Sequence, residues 1–180
     1  MSKKKLRPVD RPVPEWPLAL QSEWREVIED LCNESDRGVA LIGAAYLDTA
    51  LKCLLEASLA GGKTVANKLF EGPNAPLGTF SSRIAMAYGL GHIGPNYFQT
   101  LESIREIRNA FAHLRRSLTF EDLEIRNLIV STFKLPYVLP DPPPDLSLMR
   151  NRYIWTTAMI LGRLTYVQMH AKAPALPDGG

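Results

Sequence analysis

Arg105, Arg108, Asn109 and His113 stand together in the stretch Glu102-Ser-Ile-Arg-Glu-Ile-Arg-Asn-Ala-Phe-Ala-His113, the densest set of potentially reactive polar groups in the chain. Tyr97, Leu101, Ile104, Ile107, Phe111 and Leu114 recur every three or four residues around them, the spacing of one apolar face of a helix. Arg105, Asn109 and His113 follow at i, i+4 and i+8, a polar row on another face. Arg108 breaks the division, because at about 100° per residue it falls within roughly 60° of the centre of the apolar stripe. A guanidinium so placed must snorkel to water or meet an acid, since an unpaired buried charge is very costly. The arrangement around it is catalytic, ligand-binding or structural, and the spacing alone leaves the three open.

A second charge poses the same problem. Asp48 lies in Val39-Ala-Leu-Ile-Gly-Ala-Ala-Tyr-Leu-Asp-Thr-Ala-Leu51, with Leu41, Ala44, Leu51 and Leu55 around it on a helical wheel. Acids in such surroundings are almost never left unpaired. An Asp48–Arg108 ion pair between two packed helices is therefore the expected structural role of both. His113 is expected at a helix C-terminus, where the dipole favours it. Arg105, Glu102 and Glu106 are expected as i, i+3 and i, i+4 surface neighbours, with Glu102 one turn before Arg105.

These residues need helices to position them, and the rest of the chain supplies helical patterns. Leu20, Trp24, Val27, Ile28 and Leu31 predict a helix over 18–33. Ser35-Asp36 offers an N-cap for a second, over 37–59, apolar nearly all round and therefore central. Gly43, Ala44 and Ala45 would let a neighbour approach it closely. Gly61-Gly62 ends that helix, and a short one through Leu69-Phe70 follows. Thr79 or Ser81 caps a helix over 80–90 with Ile84, Ala87 and Tyr88 inward. The Arg/His helix spans about 95–114, Thr119 caps another over 120–133, and a last runs over 146–170 with Ile154, Trp155, Ala158, Leu161 and Val167 apolar. No alternating strand pattern is present. The expected architecture is all-α, a single bundle of six or seven helices without a β-sheet. A basic, proline-rich arm over 1–17, an extended linker at Asp141-Pro-Pro-Pro-Asp145 and a disordered tail over 173–180 flank or interrupt a domain over 18–172.

Composition narrows the function classes. Of 180 residues, 46% are hydrophobic, and 21 Lys+Arg stand against 19 Asp+Glu, for a net charge of +2. That balance gives weak support to nucleic-acid binding, and much of the positive charge is in the arm, at Lys3, Lys4, Lys5, Arg7 and Arg11. A direct DNA contact through the arm would show a steep salt dependence. The two cysteines, Cys32 and Cys53, have neither zinc-site nor disulfide spacing and are read as reduced, in a cytoplasmic protein. The basic start runs into Pro8, Pro12 and Pro14 and not into an apolar signal segment, and no membrane span is expected. His92 and His170 have no HExxH-like partner, so no metal or other cofactor is expected. Gly89-Leu-Gly-His-Ile-Gly94 matches a dinucleotide fingerprint only in its glycines: it follows a helical pattern, precedes Pro95, and reads as a helix–helix turn.

Three segments together resemble the mannitol operon repressor family of small helical bacterial proteins. They are Ala40-Leu-Ile-Gly-Ala-Ala-Tyr-Leu-Asp-Thr-Ala-Leu51, Leu77-Gly-Thr-Phe-Ser-Ser-Arg-Ile-Ala-Met-Ala-Tyr-Gly-Leu90 and Ile104-Arg-Glu-Ile-Arg-Asn-Ala-Phe-Ala-His113. They occur in the family's order, and the likeness covers about 20–135, leaving the helix over 146–172 outside it. The resemblance implies a non-catalytic regulator of transcription. Because no helix-turn-helix with a basic recognition helix is evident, it implies action through a protein partner, with a homodimer left open. On that reading Asp48, Arg105, Arg108, Asn109 and His113 form a binding or structural polar cluster.

The third segment also resembles the Arg-polar-x-x-x-His motif of HEPN-type domains, many of them metal-independent RNases. That likeness implies catalysis by Arg108 and His113 with Asn109 positioning: the imidazole would take the 2′-hydroxyl proton and the guanidinium would stabilise the phosphorane. On a straight helix the two side chains point about 140° apart, so they would share a site only across a dimer or a helix break.

Overall fold

The computed structural model describes residues 18–113, 118–134 and 145–174, with side chains from residue 25 onward. The arm over 1–17, Leu114, most of the proline linker and the last six residues lie outside the described residues. Seven helices and no strand occur among the described residues: α1 Leu18–Asn33, α2 Asp36–Ser58, α3 Gly62–Phe70, α4 Phe80–Gly89, α5 Pro95–His113, α6 Leu123–Thr132 and α7 Met149–His170. The all-α expectation holds.

Helix α2 is central, packed by α1, α4, α5 and α7. Its N-cap is Ser35, whose hydroxyl accepts from the Gly38 amide at 3.1 Å. It is the one described helix long and apolar enough to cross a membrane, and half of that stretch is buried inside the bundle. The apolar composition is thereby explained by the core, where Val39, Leu47, Leu51, Leu54 and Leu55 are fully enclosed. At Gly43 α7 packs tightly on α2: a Cβ there would stand 3.3 Å from Tyr153 Cε1 and 3.4 Å from Thr157 Cγ2.

The C-terminal helix completes this core. Tyr153, Ile154, Ile160 and Leu164 of α7 are buried. The Tyr153 hydroxyl donates to the Ala40 carbonyl at 3.2 Å, and burial raises its pKa well above the tyrosine range. Tyr153 also packs on Phe120, which packs on Phe111, with ring centroids 4.9 and 5.2 Å apart, so α7 is tied through aromatics to the end of α5. Arg150 fastens the other end: it reaches Asp36 at 2.7 Å and donates to the carbonyls of Leu31, Cys32 and Glu34 at the close of α1.

Two local expectations are corrected. Thr119 does not cap a helix at 120. The Asp122 carboxylate takes the Thr119 amide and hydroxyl instead, at 2.7 and 3.0 Å, and the resulting turn delays α6 to Leu123. Tyr88 is 40% exposed and lies against Phe98, while Ile84 and Ala87 are the α4 residues that are fully buried. Trp155 is only partly buried. The glycine-rich segment is a helix–helix turn, with Gly91 at φ 74° between α4 and α5.

Candidate functional site

A pocket of about 450 Å³ opens between α2, the start of α4 and the C-terminal half of α5. Leu41, Ala44, Ala45 and Asp48 of α2 line one wall, Gly78, Thr79, Phe80 and Ser81 the second, and Arg105, Arg108 and Asn109 the third. Four of the five residues of the expected polar cluster thus meet around one cavity. His113 does not line it; it is exposed in the last turn of α5.

Local structure explains each wall. Thr79 starts α4 with a reciprocal capping box: its hydroxyl accepts from the Ser82 amide at 3.1 Å, and Ser82 Oγ accepts from the Thr79 amide at 3.2 Å. The Ser82 amide is thereby satisfied by the Thr79 hydroxyl and the Arg83 amide by the Thr79 carbonyl, and Thr79, Phe80 and Ser81 at this helix start line the pocket. On α2 the small side chains of Ala44 and Ala45 stand between Leu41 and Asp48 and leave room for the cavity.

The expected Asp48–Arg108 pair is not formed. Asp48 pairs with Arg83, whose Nη1 lies 2.8 Å from Asp48 Oδ1 while its Nε donates to the Leu77 carbonyl, also at 2.8 Å. Arg83 is the buried member, 11% exposed against 33% for Asp48. Asp48 sits at the flank of the apolar face that α2 turns to the core, which is the side facing α4. Arg108 takes the other route open to a cation beside an apolar stripe and is exposed. Its Nη1 donates to Asn109 Oδ1 at 2.9 Å. It lines the pocket, while Leu101, Ile104, Ile107 and Phe111 of the same helix are buried in the core.

Arg105 donates twice to Glu102 Oε2, at 3.0 and 2.8 Å, the pair one turn apart that the spacing predicts. Arg37, not singled out from the sequence, reaches across from α2 to the Ala112 carbonyl at 3.1 Å and joins the start of α2 to the end of α5. Arg83 was also missed, although it carries a signal: a cation in the first turns of a helix opposes the dipole and calls for a nearby acid. Behind the pocket, Phe70 lies under both Lys52 and Arg83, at 5.9 and 5.8 Å from its ring centre, and Lys52 is paired with Glu71.

Arg108 and His113 are not brought to one site within this chain. Among the described residues no group of three or more His, Cys, Asp or Glu side chains is arranged to hold a metal ion. Chemically, the pocket offers an apolar floor, a neutralised acid–base pair and a guanidinium–amide pair at its rim.

No family model matches the chain, and no curated protein matches it significantly. Among solved structures, a chain of the X-ray structure of the MtlR–HPr complex from Escherichia coli is similar, with a TM-score of 0.64 and 17% identity. The alignment covers 81% of this chain and 99% of that one. At this identity the likeness is one of fold: the chain has an MtlR-like helical architecture.

Proposed function

We propose that the chain is a non-catalytic regulator of transcription that works by binding a protein partner, with HPr the first partner to consider. The observation that carries this reading is the fold likeness, which spans almost the whole of a chain solved in complex with HPr. The three sequence segments that resemble the mannitol operon repressor family support it. They fall on α2, on the approach to α4 with α4 itself, and on α5, the elements that enclose the pocket. Arg105, Arg108, Asn109 and the exposed His113 shape the face offered to the partner. Association through such a face depends on shape and charge complementarity rather than on any reactive group.

Regulation is tested in the cell. Deleting the gene should change transcript levels of sugar-alcohol uptake genes, and complementation with the wild-type chain should restore them. A deletion strain with unaltered transcripts under inducing and non-inducing conditions would remove the regulatory reading.

A further inference from the structure

The geometry points to the α2–α4–α5 pocket as a binding site for a small organic anion, a molecule headed by a phosphate or carboxylate with an apolar body. The inference rests on the reading above only in making that anion an effector of a regulator; the binding itself is a property of this chain alone.

Size and shape come first. A pocket of about 450 Å³ lies in the range of small-molecule sites, which combine an apolar lining with a few convergent polar groups. Leu41, Ala44, Ala45 and Phe80 supply the apolar part, and Arg108, Asn109 and Ser81 supply the polar part.

The charge inventory gives the sign. Asp48 is neutralised by Arg83 and Arg105 by Glu102. Arg108 has no carboxylate partner among the described residues; its one hydrogen bond is to the neutral amide of Asn109. That bond occupies Nη1 and orients the guanidinium while leaving its other donors and the Asn109 amino group available. One guanidinium without a counter-ion among the described residues therefore lines the cavity, with the Asn109 side chain beside it, and a charged head group there would be met by charge-assisted hydrogen bonds. Glu102 and exposed Glu106 on the same helix disfavour a long polyanion, so the charge complement is a single anionic head and not a nucleic-acid backbone.

Phenyl phosphate and benzoate, matched in body and different in head, are suitable probes, titrated into the full chain by heteronuclear NMR or calorimetry. Saturable binding of at least one is expected, weakened at least tenfold in Arg108→Ala and unchanged in Arg126→Ala, which removes an exposed charge on α6 away from the pocket. The tighter of the two probes identifies the head group. Because Arg108 is exposed and bonded only to its neighbour, Arg108→Ala should keep the wild-type melting temperature, so lost binding is not lost folding. Binding of neither probe, equal binding by Arg108→Ala, or equal weakening in Arg126→Ala would overturn the inference.

Discussion

Arg83, on α4, holds Asp48, on α2, at 2.8 Å and hangs at the same time from the Leu77 carbonyl, so that one guanidinium fixes both the start of α4 and the wall of the pocket. Removing the arginine leaves a partly buried carboxylate and a carbonyl without their donor. Arg83→Ala should destabilise the fold by about 2–3 kcal/mol, given the cost of stranding partly buried partners. Asp48→Asn keeps a hydrogen-bond acceptor and should cost about 1 kcal/mol. Urea unfolding of both single variants and the double variant checks this. The coupling should be positive, and additive losses would mean that the pair does not act as a unit.

The closeness of α2 and α7 at Gly43 gives a packing prediction. A Cβ there would stand 3.3 Å from Tyr153 Cε1 and 3.4 Å from Thr157 Cγ2, so a side chain longer than a methyl would press on both. Gly43→Leu should lower stability by about 3 kcal/mol or more, because the overpacked core has no slack. Tyr153→Phe removes only the hydroxyl bonded to Ala40 and should cost about 1 kcal/mol. Thermal melts of the two variants should rank in that order, and the reverse ranking would place the α2–α7 contact elsewhere.

His92 supplies a pH dependence. Its Nε2 is buried without a hydrogen-bond partner, and burial holds its pKa below the usual 6.5. As pH falls through about 6.5 the unfolded chain takes up a proton that the folded chain refuses, so folding stability declines until the folded-state pKa is passed. Unfolding free energies measured between pH 7.5 and 5 should show that decline, and His92→Gln should flatten it. An unchanged slope in the variant would assign the effect to other groups.

The pocket residues bear on catalysis as well. Within one chain Arg108 lines the cavity and His113 stands outside it. Purified wild type should therefore leave RNA intact in the presence of EDTA, and His113→Ala should behave identically. Metal-independent cleavage by the wild type that vanishes in a folded His113→Ala variant would favour the RNase chemistry.

Helix content was legible in the sequence because it follows from local spacing. The apolar sweep of α2, the caps Ser35 and Thr79 and the break at Gly61-Gly62 each act over a few residues. Partner choice was not, because it is decided in three dimensions. Asp48 and Arg108 both stood out as charges beside apolar stripes, and pairing them was the economical guess. The start of α4 brings Arg83 to Asp48 first, which no wheel of α2 or α5 can display. Likewise Thr119 looked like a cap until Asp122 competed for its amide. The pocket itself was half visible: Asp48, Arg105, Arg108 and Asn109 stood out by their chemistry, whereas Gly78 and Phe80 have no distinguishing chemistry and enter only through the fold.

The measurement that bears most directly on the central claim is a calorimetric titration of the full chain with HPr, run beside an Arg105→Glu/Arg108→Glu variant. The account predicts saturable binding at a defined stoichiometry by the wild type and weakening of at least tenfold when the two charges on α5 are reversed. No heat and no complex by size-exclusion chromatography, with both proteins folded, would contradict HPr as the partner. Undiminished binding by the reversed variant would contradict the α5 face as the place where it docks.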